Sequence, residues 1–312
     1  MRHLVVGAGA SVAQASELGV PKEFWPPTMA NFARKTWANY APWPFLQAFL
    51  QYKGVTLAAD SDPREDFYVL EQNGNANIEQ FIEFAWSIKD NLPSEWHGAW
   101  NGFMRFGIGD PIALLINQGF QKHGIDFVDL PVTRRMLSRF TSDDLILSLN
   151  YDTLVEIGLQ QNETNFTYLP NVTPAMNIPV CKPHGSLNMA FDENGFSFGD
   201  PRNLFPLFQT GDPRLPYVGL IPPRLNKTYE QTPMARKMLL PVESRAPQSI
   251  VMWGIGMTES DIDLNEIYRG WAKKAEFVDV INPDPKVAPL IETVIGLPVR
   301  RFAAADEWLQ QE

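Results

Sequence analysis

The chain has 312 residues, 45% of them apolar and 20% charged, and a formal net charge of −10. That length holds one large domain with insertions, or two domains, and the dispersed acid excess argues against a nucleic-acid-binding surface. Cys181 is the single cysteine, which excludes an intrachain disulfide and a four-cysteine zinc module. No metal is expected. No apolar run reaches the roughly 18 residues of a membrane span, and the N-terminus runs into a glycine motif without the core of a signal peptide. The expected location is cytoplasmic, with no membrane association.

In chain order, residues 4–6 read as a short buried strand entering Gly7-Ala8-Gly9-Ala10-Ser11. Residues 12–19 read as the first helix, with Gly19-Val20-Pro21 as its stop. Residues 24–53 then hold Phe24, Trp25, Phe32, Trp37, Tyr40, Trp43, Phe45, Phe49 and Tyr52. Such aromatics serve a core or a subunit interface more often than ligand stacking. Ile78, Phe81, Ala85 and Ile88 are spaced as a helix face with Asn77 as N-cap, and Ile112, Leu115, Ile116 and Gly119 mark another helix.

Residues 145–149 form a second buried run, followed by a helical stretch over 153–160. Residues 162–245 are rich in Pro, Asn, Gly and Asp and read as irregular loops and short strands. Within them, residues 189–191 and 196–198 flank Glu193-Asn194-Gly195, a hairpin signal. A strand over 249–253 leads to Gly254-Ile255-Gly256, and Leu264, Ile267, Tyr268 and Trp271 share a helical face. A strand over 277–281 is closed by Asn282-Pro283-Asp284-Pro285, followed by a helix over 286–295 and a last strand over 299–302. The expected fold is α/β, a Rossmann-like parallel sheet with helices on both faces. Its sheet-forming parts are about 1–20, 136–161 and 246–312. A mainly helical insertion covers about 21–135, and a loop and hairpin insertion about 162–245.

Three polar motifs follow apolar runs: Gly7-Ala8-Gly9-Ala10-Ser11, Asn150-Tyr151-Asp152 and His184-Gly185-Ser186. In an open α/β sheet, groups at the carboxyl ends of strands converge on one crevice. Gly7 and Gly9 read either as a phosphate cradle or as a plain strand–helix turn. Val12 stands at the third glycine position of the dinucleotide fingerprint, and no acid occurs from Phe24 to Ala59, which argues against a dehydrogenase. Asp152 or Thr153 reads as a helix cap, with Thr153-x-x-Glu156 as a capping box, or Asp152 as a functional group. Asn150 offers a donor and an acceptor that suit ribose hydroxyls or a held water.

His184 is one of four histidines, and Gly185 after it leaves open space at its side. Its ordinary pKa lets it accept a proton at neutral pH. Gly254 and Gly256 repeat the strand–glycine pattern. Thr258-x-x-Asp261 and Ser260-x-x-Asp263 read as capping boxes. Asn282 reads equally as a ribose ligand or a turn residue.

The order GAGAS, LNYD, KPHGS, WGIGMTESD and INPD resembles the sirtuin-like family, and is most similar to the bacterial branch of NAD-hydrolysing antiviral defence effectors. The resemblance covers about half of the chain, its sheet-forming parts, and treats residues 1–312 as one sirtuin-like domain. It implies an NAD glycohydrolase that releases nicotinamide and ADP-ribose, with NAD as substrate. By motif, Gly7, Ala8, Gly9 and Ser11 would contact the phosphates and ribose. Asn150 would bind the nicotinamide ribose and position water, Asp152 would lie near the carboxamide, and His184 would be the catalytic histidine. Gly254, Gly256 and Asn282 would line the adenosine side.

The missing zinc module, and Phe24-Trp25-Pro26-Pro27-Thr28-Met29 where deacylases of this family carry Asp-Phe-Arg, set the chain apart from those deacylases. The resemblance also implies a homo-oligomer, with a separate regulatory partner such as a HerA-type DNA-translocating ATPase or an Argonaute-type protein. The alternatives are an ADP-ribosyl transferase, an NAD-dependent protein deacylase, or a non-catalytic sensor that binds NAD or ADP-ribose.

Overall fold

The computed structural model describes residues 1–37, 42–58, 60–91, 98–192, 195–204, 217–222, 232–256 and 261–311. Its strands are β1 (Arg2–Val6), β2 (Gln121–His123), β3 (Asp126–Phe127), β4 (Leu145–Ser148), β5 (Phe166–Tyr168), β6 (Ile178–Cys181), β7 (Gly185–Asp192), β8 (Gly195–Phe198), β9 (Tyr217–Leu220), β10 (Ser249–Trp253), β11 (Phe277–Ile281) and β12 (Arg300–Phe302). Seven of them form one sheet in the order β12-β11-β10-β1-β4-β6-β5, and every neighbouring pair is parallel.

The sequence accounts for this sheet. β4, β6 and β10 are buried along their whole length, as parallel strands covered on both faces must be. Successive side chains alternate between two cores. Val5, Leu147, Ile250 and Met252 pack with the helices Pro233–Glu243, Ile262–Ala272 and Val287–Ile295. Leu4, Val6, Ile146 and Val251 pack with the helices Ala8–Glu17, Pro131–Leu137 and Leu154–Gln161.

β1 connects onward to β4 on one side of the sheet, while β10 connects to β11 on the other. The carboxyl ends of β1 and β10 therefore flank a topological switch point, where open α/β sheets bind ligands.

Most of residues 22–120 form a separate helical layer with its own core, which includes Phe32, Trp37, Phe45, Phe49, Phe67, Phe81 and Phe103. Trp37 and Phe81 meet edge to face at 4.9 Å between ring centroids. Of the aromatics in 24–53, Phe32, Trp37, Phe45 and Phe49 are core, Phe24 and Trp25 are half-buried, Trp43 and Tyr52 are exposed, and Tyr40 lies outside the described residues. Asn77 caps the helix Ile78–Ile88 by accepting the Gln80 N–H at 2.8 Å.

The structure corrects several boundaries. The first helix starts at Ala8, with Gly7 as N-cap, rather than at residue 12. β5 and β6 of the parallel sheet, and the helix Pro233–Glu243, lie within 162–245, so that segment is no simple loop insertion. The helix Pro131–Leu137 packs on Ala8–Glu17 and Leu154–Gln161 and belongs to the layer on the sheet. The hairpin of β7 and β8 forms with Met189 opposite Phe198; its turn residues Glu193 and Asn194 lie outside the described residues. The Thr153–Glu156 capping box does not form, because Thr153 Oγ1 donates to the Pro201 carbonyl at 2.8 Å and Glu156 pairs with Lys182.

Among the described residues, no helix is long and apolar enough to cross a membrane.

Candidate functional site

The switch point opens into a cavity of about 890 Å³. Its walls include Gly7, Ala8, Gly9, Asn150, Asp152, His184, Gly254, Gly256 and Asn282. The three motifs that follow apolar runs therefore meet at one crevice. Ser11 is the exception among the sequence-derived site residues. It is buried behind the wall, where its Oγ donates to Asp152 Oδ2 at 2.7 Å and accepts from Asn150 Nδ2 at 3.0 Å.

Asn150 has a fixed orientation. Its Nδ2 also donates to the Gly7 carbonyl at 3.1 Å. Both amide hydrogens are engaged by protein acceptors, so the side chain presents Oδ1, an acceptor, to a ligand. Its neighbours are held as firmly. The Tyr151 hydroxyl donates to the Ile221 carbonyl, the Tyr151 carbonyl accepts from Leu187 N–H at 2.9 Å, and the Asp152 carbonyl accepts from the Lys182 ammonium. Asp152 Oδ1 accepts the Leu154 N–H at 3.1 Å. The N-cap of the helix Leu154–Gln161 is Thr153, which makes no capping bond; Asp152 stands one residue earlier, satisfies the first helical N–H and lines the cavity.

His184 follows β6. Its Nδ1 lies 3.2 Å from the Leu149 carbonyl. A carbonyl only accepts, so Nδ1 carries a proton in this contact, and in a neutral ring the lone pair is on Nε2. Asp261 Oδ1 stands 3.9 Å from Nε2. Gly185 does not leave open space, contrary to the expectation from sequence. Its φ is +83°, and a Cβ there would lie 1.8 Å from the Gly219 carbonyl oxygen of β9. Glycine is required by backbone conformation and by the close approach of that strand.

The glycines of the two loops serve each other. Gly7 N–H donates to Trp253 O and Gly9 N–H to Gly254 O, each at 2.9 Å. A Cβ on Gly7 would stand 2.6 Å from the Gly254 oxygen, and one on Gly254, whose φ is +65°, would stand 2.1 Å from the Ala10 nitrogen. The room these glycines leave is occupied by protein backbone, and two loop N–H groups are already bonded. Gly256 differs, with nothing among the described residues within 4 Å of a Cβ built there. Asn282 Nδ2 donates to Ile255 O at 2.9 Å and its Oδ1 accepts the Asp284 N–H at 2.9 Å. It acts as a turn residue and ties β11 to the β10 loop, while still lining the cavity.

The helical layer supplies a further wall, including Trp25, Met29, Phe32, Glu79 and Ile112. Sequence reading missed Glu79, Tyr151 and Asp261 as site residues. Burial, together with the charges of Asp261 and Glu79, pushes the Tyr151 phenol far above its usual range. Asp261 read only as a cap partner, and Thr258 and Ser260 lie outside the described residues.

No protein-family model matches the chain, and no curated protein matches it.

Proposed function

We propose that the chain is an NAD glycohydrolase of sirtuin-like type, which cleaves NAD to nicotinamide and ADP-ribose. The observation that carries this reading is the pairing of His184 with Asn150 on one cavity at the switch point, with Nδ1 of His184 anchored to Leu149 O. The cavity volume falls in the range of small-molecule sites.

In this mechanism the C1′–N bond breaks and its electron pair goes to the nicotinamide nitrogen, which neutralises the pyridinium. The ribose C1′ becomes oxocarbenium-like, and fixed dipoles of the pocket stabilise it. Asn150 Oδ1 accepts a hydrogen bond from water and holds it in line. The water oxygen bonds to C1′ and its proton passes to His184 Nε2, then to solvent. Asp152 and Ser11 act through Asn150 by fixing its amide.

The reading extends to an effector subunit of a bacterial anti-phage defence system, a homo-oligomer held in check by assembly or by a partner of the ATPase or Argonaute type. The direct test is incubation with NAD and chromatographic detection of nicotinamide and ADP-ribose, with and without candidate partners. His184→Ala and Asn150→Ala should each lower turnover by at least about a hundredfold, the usual share of a positioned acid–base group. Full activity in either folded variant would sink the mechanism.

A further inference from the structure

The helical insertion contributes one carboxylate to the cavity. Glu79 stands in the first turn of the helix Ile78–Ile88 and is buried, and it lines the cavity together with Tyr151 and His184. Asp261 lines the same cavity, and its Oδ1 lies 3.9 Å from His184 Nε2. Glu79, Asp152 and Asp261 therefore line the same cavity as His184, Glu79 from the helical layer. Among the described residues, no lysine or arginine lines it.

The chemistry of the dinucleotide gives this placement a meaning. The oxidised nicotinamide ring is a pyridinium cation, the reduced ring is neutral, and ADP-ribose lacks the ring. A nearby anion favours the cation in the bound substrate, and favours the positive ribose that succeeds it during cleavage. Resting on the NAD reading above, we propose that Glu79 is a specificity-determining residue that selects the cationic, oxidised dinucleotide over its reduced form, with Asp261 as a second carboxylate. The insertion then does more than roof the site, because it supplies the charge that reads the redox state of the ligand.

The test is binding by calorimetry to the full chain, using carba-NAD (a pyridinium dinucleotide that resists cleavage), NADH and ADP-ribose. The wild-type chain should bind carba-NAD more tightly than NADH. Glu79→Gln should weaken carba-NAD by about tenfold, the scale of one lost charge pair near a protein surface, and leave NADH and ADP-ribose within about twofold. Asp261→Asn, as a second variant, should shift the ligands in the same selective way. Thermal melting checks that both variants fold. Equal affinity of the wild type for carba-NAD and NADH would overturn the proposal. So would a parallel loss of all three ligands, or a changed melting temperature with no separation between them, which would assign Glu79 to its helix N-terminus alone. Failure of the wild type to bind any of the three would remove the dinucleotide reading itself, and this one with it.

Discussion

The Lys182 ammonium lies 3.1 Å from the Glu156 carboxylate, and both side chains are fully buried. Lys182 also donates to the Asp152 carbonyl, so this pair sits directly behind the Asn150–Asp152 segment of the cavity wall. Breaking a buried pair strands a charge, which costs more than the pair itself contributes. Lys182→Met should destabilise the fold by about 3–5 kcal/mol, read as a lower urea midpoint. Replacing both partners, as Lys182→Met with Glu156→Leu, should restore most of that loss. A double variant no more stable than the single one would show that Glu156 is not the group left uncompensated.

His3 supplies a pH dependence. It is buried in β1 and lies edge-on to Trp271, with 4.3 Å between ring centroids. Burial, and then the positive charges of Arg245 and the N-terminus, pull its pKa from 6.5 down to about 3. The folded chain keeps His3 neutral in this window, while the unfolded chain takes up a proton. Stability from this group is therefore complete above pH 6.5 and declines as pH falls toward 3, by about 1.4 kcal/mol per pH unit. His3→Phe should remove that slope, measured as the difference between wild-type and variant urea stabilities from pH 7 to pH 4. Parallel pH profiles would contradict it.

Two glycines of the β10 loop should behave oppositely. Gly254→Ala forces a side chain into a backbone contact of 2.1 Å at a positive φ. It should destabilise by at least about 1–3 kcal/mol, the scale of strain at such a position. Gly256→Ala meets nothing among the described residues within 4 Å and should leave the melting temperature unchanged. If Gly256 faces the dinucleotide, the same variant should still weaken ADP-ribose binding. Unchanged affinity in calorimetry would remove Gly256 from the ligand contacts.

Asn150→Asp is nearly isosteric yet reverses one polarity. The Nδ2 that donates to the Gly7 carbonyl at 3.1 Å would become an oxygen facing an oxygen. Nicotinamide release should fall to the level of Asn150→Ala, even though a carboxylate keeps an acceptor for water. Substantial activity in Asn150→Asp would show that the orientation of the amide is not essential.

Much of the sheet was legible because its strands are short, mostly apolar runs, although β11 carries the buried Asp279 at its centre. β1, β4, β10 and β11 stand where those runs predict them, and the crevice follows from the polar motifs at their ends. β5 and β6 escaped for local reasons. β5 has three residues, and β6 carries Pro179, a residue that argues against an interior strand. The helix Pro233–Glu243 contains Pro241, which obscures its period in the same way.

In the candidate site, the place of Asn150 and His184 on the cavity wall was readable from their positions after apolar runs. That of Glu79 was not, since a first-turn acid looks like any other until the helical layer folds over the sheet. Gly185 was noticed for the wrong reason, because a strand 34 residues further on decides its environment.

The register that places Arg2 beside Ser249 also sets a timetable. β1 leaves the ribosome before the other strands of its sheet, yet one of its two neighbours is made only after some 240 further residues, and such distant pairings form late. The cavity wall needs Gly7, His184, Gly254 and Asn282 together. Ala303 to Asp306, which follow β12, line it too, so a growing chain has no complete pocket until β12 and these residues have emerged, and a NAD-consuming activity would be withheld from every shorter nascent chain.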